Sequence, residues 1–117
     1  MNTKMKGALG EQLAARYLRK KGYLICSANY SNGTGEIDII AEKRKTICFV
    51  EVKTRTQGCM YAPADAVDYK KQENIKSSAA AYMNGFSLKN KIRYDIVEVI
   101  LSDNNDLLSI NHIKNAF

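Results

Sequence analysis

Length, composition and charge limit the class of protein before any motif is considered. The 117 residues are 45% hydrophobic and 26% charged, which fits one soluble globular domain and leaves no room for a second. A formal net charge of +6 indicates an anionic partner, of which nucleic acid and a membrane surface are the usual examples. The three cysteines form no CxxC pair, which argues against a disulfide framework and a zinc ribbon. Since no apolar segment approaches the ~20 residues needed to cross a bilayer and the start lacks the apolar core of a signal peptide, we expect a cytoplasmic protein without a membrane partner.

Residues 5–21 predict a first helix that ends before Gly22. Its apolar arc contains small and aliphatic residues, and Glu11 lies at the edge of this arc. A carboxylate beside a buried face requires a cation, so Glu11 either reaches towards a metal or simply extends to water or to Lys6 or Arg19; periodicity alone favours the second interpretation. The opposite arc is basic and is a candidate nucleic-acid surface, although a solvated face is the simpler reading: Arg16, Arg19, Lys20.

A strand is expected over residues 22–30, followed by a Ser/Asn/Gly-rich connecting loop over residues 31–35. The loop lacks the Gly-Lys-Ser/Thr ending of a P-loop, so we interpret it as a connector.

Residues 35–55 predict an antiparallel hairpin. A turn through Lys43-Arg44 would place Ala41 opposite Thr46 and Asp38 opposite Phe49. Alternation of side chains then places three charged groups on one face: Asp38, Glu51, Lys53. Two carboxylates with waters and substrate phosphates suit Mg²⁺, and a neighbouring lysine can hold a nucleophilic water or offset developing phosphate charge.

The rest of the chain predicts a loop, a helix and two strands. The loop over residues 56–63 is a candidate lip of the site, and Arg55 before it is a candidate phosphate contact or an edge-strand charge. The helix over residues 68–84 is capped by Asp68. Its lysines are candidate nucleic-acid contacts, but the interspersed acids favour an ordinary solvated face: Lys70, Lys71, Lys76. In the strand over residues 91–101, we interpret Asp95 as a buried acid paired with Arg93 from a neighbouring strand rather than as a metal ligand. A strand over residues 107–113 closes the chain, and no role is assigned to His112.

This order of elements fits an α/β fold, a mixed β-sheet flanked by helices. Ile37-Asp38 followed by Glu51-Val52-Lys53 resembles the PD-(D/E)xK signature of restriction-endonuclease-like nucleases, without its proline. Across nearly the whole chain, four segments resemble the bacterial YraN family of small endonuclease-like proteins: GEIDIIA, FVEVKTR, Arg93-Tyr94-Asp95 and Asn115-Ala116-Phe117.

The resemblance implies a restriction-endonuclease-like core and Mg²⁺- or Mn²⁺-dependent hydrolysis of DNA. Asp38 and Glu51 would be the principal metal ligands, and Lys53 would orient the attacking water. Glu11 would be an auxiliary ligand, because Gly-Glu-x-x-Ala in the first helix matches the family motif. Action as a homodimer and action on branched or single-stranded DNA both remain open. So do two other functions, a non-catalytic nucleic-acid-binding module and a scaffold in which Glu51 and Lys53 are only the exposed face of a hairpin.

Overall fold

The computed structural model describes residues 1–33, 35–58, 67–86 and 89–117. In these ranges the chain contains two helices and five strands: α1 (Thr3–Lys20), β1 (Leu24–Ser31), β2 (Glu36–Lys43), β3 (Thr46–Thr56), α2 (Tyr69–Met83), β4 (Lys91–Leu101) and β5 (Leu107–Ile113). The predicted order of elements is confirmed. Most of the expected lip, from residue 59 onwards, and Thr34 of the connecting loop lie outside the described residues.

The five strands form one mixed sheet in the order β1-β2-β3-β4-β5. β3 and β4 are parallel, and the other neighbouring pairs are antiparallel. A parallel pair requires a long connection, and α2 lies within the segment that joins β3 to β4. The predicted α/β class is therefore correct. No helix in the described part of the chain is long and apolar enough to cross a membrane.

Helix α1 covers one face of the sheet. Asn2 caps the helix, since its side-chain oxygen accepts the Met5 N–H at 2.8 Å. The buried face is the predicted one, and it packs on a core that includes Val50 and Val97: Gly10, Ala14, Leu18. Gly10 permits this close approach, because a Cβ atom there would overlap Thr54 Oγ1 and lie 2.9 Å from Thr54 Cβ.

Helix α2 covers the opposite face. Asp68 caps it as predicted, accepting the Lys71 N–H at 2.8 Å. Ile75 and Ala79 pack in a second core together with residues of the hairpin and β4: Ile37, Ile40, Ile47, Phe49, Ile96. The central strands are thus buried on both faces, with one helix over each.

The predicted hairpin register is wrong by two residues. The turn residues are Arg44 and Lys45, with φ angles of 51° and 63°, and Ile40 rather than Asp38 lies opposite Phe49. Two positive φ values in a two-residue loop are the type I′ geometry that matches the twist of paired strands. Because a slip of two residues preserves side-chain alternation, the hydrophobic pattern could not distinguish the two registers. The observed register moves Asp38 away from Phe49 and towards Glu51.

Candidate active site

Asp38 lies where β2 and β3 stop pairing. The β2–β3 ladder ends at Ile39 and Val50, and the next free amide of β3, that of Val52, donates to Asp38 Oδ2 at 2.8 Å. The carboxylate therefore replaces a main-chain carbonyl as the acceptor. A charge-assisted bond of this kind holds the half-buried side chain at the opening between the strands.

Glu51 is the buried carboxyl of the site, with 5% of its surface exposed. Its Oε2 lies 3.2 Å from the ammonium of Lys71, which reaches it from the first turn of α2. Burial, followed by the hydrogen bond and negative charge of Asp38, raises the pKa of Glu51 to about 8, although Lys71 and Lys53 oppose the rise. Asp38 and Glu51 thus form an acid pair close enough to share a proton.

Lys53 lies within electrostatic reach of this pair. Burial is the main cause that lowers its pKa; the charges of Lys71 and Arg55 act in the same direction, whereas Glu51 and Asp38 raise it. The side chain also lines a cavity of about 200 Å³ between the start of α1 and the end of β3, together with Glu11 and Arg55. Lys53 is therefore an ammonium whose proton is held less tightly than that of an ordinary surface lysine.

Glu11 approaches Asp38 from the α1 side. Burial raises the pKa of Glu11, the charges of Asp38 and Glu36 add to the rise, and a hydrogen bond with Asn29 opposes it. Asp38 lines two clefts: one of about 310 Å³ that it shares with Glu11, and one of about 360 Å³ that it shares with Glu51 and Lys71. Acidic side chains from α1, β2 and β3 thus converge on the position of Asp38.

The donor set fits a hard divalent cation that is held by few protein ligands. Among the residues described, no three Asp, Glu, His or Cys side chains are grouped closely enough to hold a metal ion, so Glu11 does not complete a three-acid cluster with the pair. Mg²⁺ commonly binds through one or two carboxylates and completes its shell with waters and phosphates. Asp38 and Glu51 supply two such carboxylates, and a cation between them would relieve the repulsion that raises the pKa of Glu51.

The four basic residues predicted to bind nucleic acid line three different cavities. Arg19 lines the cleft of Glu11 and Asp38, and half-buried Arg55 lines the cavity beside Lys53. Arg16 and Lys20 instead line a separate cavity against β5, where they meet Leu107 and Ile110. Two of the predicted residues therefore line cavities that also contain Glu11, and two line a cavity that contains no acid of the site.

Lys71 is the site residue that the sequence interpretation missed. The sequence predicts a solvated face for Lys71, and its side chain is 47% exposed, but the pattern does not predict the ion pair with Glu51. A signal was present, because Lys71 precedes the buried Ile75 by four residues and so lies on the same stripe of α2.

Asp95 belongs to a separate, saturated cluster. It is fully buried and accepts hydrogen bonds from Arg93 Nε at 2.9 Å, from His112 Nε2 at 2.7 Å and from the Asn115 amide at 3.1 Å. Burial alone would raise the pKa of Asp95, but the bonds from His112, Arg93 and Asn115 outweigh it, so the pKa is lowered. The pairing with Arg93 is confirmed; Arg93 lies on β4 itself rather than on a neighbouring strand, and His112, to which no role was assigned, is a partner from β5.

Fold and site together define a small mixed α/β protein with a paired-carboxylate site flanked by lysines. Residues 10–99 match the profile of the "Uncharacterised protein family UPF0102", and the chain belongs to this family, which is the YraN family that the sequence resembles. It is 47% identical to a UPF0102 protein of Alkaliphilus oremlandii over 100% of both chains. It is 44% identical to one of Caldanaerobacter subterraneus, over 100% of this chain and 98% of the relative, and 38% identical to one of Porphyromonas gingivalis, over 96% and 83%.

Among solved structures, the pilotin EpsS of the Vibrio vulnificus type 2 secretion system aligns with 97% of this chain at 14% identity and a TM-score of 0.30. The alignment includes 96% of the pilotin chain, but a similarity this low gives no information about the fold or function of the present protein.

Proposed function

We propose that this protein is a Mg²⁺- or Mn²⁺-dependent endonuclease of the PD-(D/E)xK class, with a restriction-endonuclease-like core, that hydrolyses phosphodiester bonds of DNA in the cytoplasm. The observation that supports this most is the pairing of Asp38 with buried Glu51 at the parting of two strands, with Lys71 3.2 Å from the glutamate. Holding two carboxyl groups close together is costly for folding, even with ammonium groups nearby. Titratable groups perturbed in this way concentrate at functional sites.

Each residue of the site has a role that follows from its environment. Asp38, fixed by the Val52 amide, and Glu51 would hold the metal ion, with Glu11 near enough to influence Asp38 by its charge. When bound, the metal ion supplies Lewis acidity and lowers the pKa of a bound water. Lys53 would orient the attacking water or donate to a phosphate oxygen. It is partly buried, which lowers its pKa, and it remains within electrostatic reach of Glu51 and Asp38.

The basic residues provide the complementary charge for the substrate. Arg19 and Arg55 flank the acids and would contact phosphates near the cleaved bond, whereas Arg16 and Lys20 would contact a more distant part of the substrate. A duplex requires access to both strands, which a homodimer would provide; a single chain would suffice for single-stranded or branched DNA.

A cleavage assay tests this function. Plasmid, single-stranded and branched DNA are incubated with the protein and Mg²⁺ or Mn²⁺, beside the variants Asp38→Asn and Lys53→Ala. We expect divalent-dependent cleavage by the wild type and a loss of at least about 10²-fold in rate in each variant, since both alter groups at the reacting centre. Lys76→Ala is the matched control, because Lys76 lines neither cleft of Asp38 and its ammonium lies 5.6 Å from the Tyr94 ring centre. Cleavage by Lys53→Ala at the wild-type rate would refute the mechanism.

A second candidate is a non-catalytic nucleic-acid-binding protein with the same fold. The absence of a three-acid group among the described residues and the net charge of +6 favour it. It predicts salt-sensitive DNA binding that needs no divalent ion and that Asp38→Asn leaves unchanged, with no cleavage of any of the three substrates.

A further inference from the structure

A basic, aromatic pocket lies at the other end of β2 from Asp38. We call it the lysine–tyrosine pocket; it has a volume of about 230 Å³ and is lined by residues from the end of α1, the start of β1 and the ends of β2 and β5: Tyr17, Lys21, Tyr23, Lys43, His112, Lys114. These segments are distant in sequence, so the pocket exists only in the folded chain.

The charge of this pocket is positive. Three lysines line it and no acid does. Asp95, which contacts His112, already pairs with Arg93. Glu42, the sequence neighbour of Lys43, lies on the other face of β2 because side chains alternate along a strand. An anion entering the pocket would therefore meet cations that no lining carboxylate neutralises.

The lysines are held in place against tyrosine rings. Lys43 Nζ donates to the Lys21 carbonyl at 2.6 Å and lies 5.2 Å from the Tyr23 ring centre. Lys21 Nζ lies 5.5 Å from the Tyr17 ring centre. An ammonium has three donors, so Lys43 keeps two for a ligand, and its ordering in the free protein reduces the entropy cost of binding.

A purely structural role explains only part of this arrangement. Lysines often cover aromatic rings, and Lys43 also satisfies a carbonyl just beyond the end of α1. Neither purpose requires a third lysine, yet Lys114 approaches the same pocket from the end of β5. Lysines placed around one pocket repel one another, and an anionic ligand would offset that cost.

We propose that the lysine–tyrosine pocket binds a backbone phosphate of a nucleic acid, with the half-buried ring of Tyr17 against the adjoining sugar or base. The identity of the partner rests on the proposed function. Five residues of β2 separate Asp38 from Lys43, or ~17 Å at 3.3–3.4 Å per residue, which corresponds to about five nucleotide steps along one strand of a duplex. The pocket would thus hold the substrate several nucleotides from the bond that the acidic pair addresses.

Binding rather than cleavage tests this pocket. Labelled single-stranded and duplex oligonucleotides are titrated with Asp38→Asn protein at several salt concentrations, and the affinity is measured by fluorescence anisotropy. In this background, Lys114→Gln should weaken binding about 3- to 10-fold at low salt and reduce the salt slope by about 1, because one phosphate contact is lost. Lys76→Gln removes the same charge from a lysine that also stacks on a tyrosine, but on α2, and should leave the slope unchanged. Lys43→Gln should act like Lys114→Gln.

The outcomes separate this proposal from the proposed function. Equal affinity and slope for Lys114→Gln and its parent would overturn the pocket and leave the catalytic proposal intact. If the wild type cleaves none of the DNA substrates but Lys114→Gln weakens binding, the pocket is supported and the catalytic proposal is overturned. Inorganic phosphate and a mononucleotide are titrated as further probes, with the His112 ring resonances followed by NMR. Shifts with the oligonucleotide alone support a strand site, whereas equal shifts with a mononucleotide would overturn it in favour of a free-nucleotide site.

Discussion

At the scale of single residues, the difference between a structural and a reactive acid lies in its donors. Asp95 is fully buried, yet Arg93, His112 and Asn115 supply enough hydrogen bonds to lower its pKa. Glu51 is almost as buried; burial and the neighbouring Asp38 carboxyl raise its pKa, and the ammonium of Lys71 at 3.2 Å does not offset them. Periodicity predicted that both would be near the core or the sheet face, but it could not predict how many donors each would meet.

Asp95→Asn should destabilise the protein by about 3–5 kcal/mol at neutral pH, because Arg93 and His112 would lose the charge that compensates their burial. The pKa of Asp95 is lower in the folded than in the unfolded chain, so its contribution is present above the unfolded value and lost as the pH falls through the folded one. The difference in unfolding free energy between wild type and variant should therefore decrease as the pH falls. Urea unfolding of both proteins over a pH series measures this difference.

The exposed Asp103 offers the matched control, and Asp103→Asn should change the unfolding free energy by no more than about 0.5 kcal/mol. If Asp95→Asn were as mild as this control at pH 7, the cluster around Asp95 would not stabilise the fold.

At the scale of elements, local sequence patterns predicted the helices and strands but not the register of the hairpin. The order of the seven elements and the buried stripes of α1 and α2 follow from hydrophobic periods of 3.6 and 2, and the cap of α2 follows from Asp68 at its start. The hairpin register did not follow, because Arg44 and Lys45 adopt positive φ without the Asn-Gly or Asp-Gly signal of a type I′ turn. Contacts between elements, such as that of Lys71 with Glu51, could not be predicted either, because they depend on how α2 packs on the sheet.

The packing of α1 on β3 gives opposite predictions for two glycines of one helix. Gly10→Ala should destabilise the protein by about 1–3 kcal/mol, because the new methyl group would overlap Thr54 and force the helix or strand to shift. Gly7→Ala should instead stabilise it by up to about 1 kcal/mol, because no atom lies within 4 Å of the new Cβ and alanine has the higher helix propensity. Thermal and urea unfolding of both variants measure the difference. Stabilisation by both substitutions would show that α1 does not lie this close to Thr54.

At the scale of the whole molecule, the fold places the acidic site and the basic lysine–tyrosine pocket in different regions. The acids of the site lie at the opening between β2 and β3, and Asp38 lines one cleft on the α1 side of the sheet and another on the α2 side. The lysine–tyrosine pocket lies at the far end of β2. Alternation along the hairpin and the family motifs were sufficient to nominate Asp38, Glu51 and Lys53. The approach of Lys71 and the grouping of Lys43 with Lys114 required the tertiary structure, since no spacing in the sequence relates them.

The account depends on Asp38 and Glu51 acting as a cation site, and the melting temperature in Mn²⁺ tests this most directly. Stabilisation by a ligand is about 2.7 kcal/mol at a hundredfold excess over its dissociation constant. Metal binding requires both carboxyls without their protons, and the pKa of Glu51 is raised to about 8, so the shift should be larger at pH 8 than at pH 6.

Wild type, Asp38→Asn, Glu51→Gln and the control Asp103→Asn are therefore heated with and without millimolar Mn²⁺ at both pH values. We predict a rise in melting temperature for the wild type and the control, larger at pH 8, and little or no rise for the two site variants. No rise in the wild type, or an equal rise in all four proteins, would contradict the central claim.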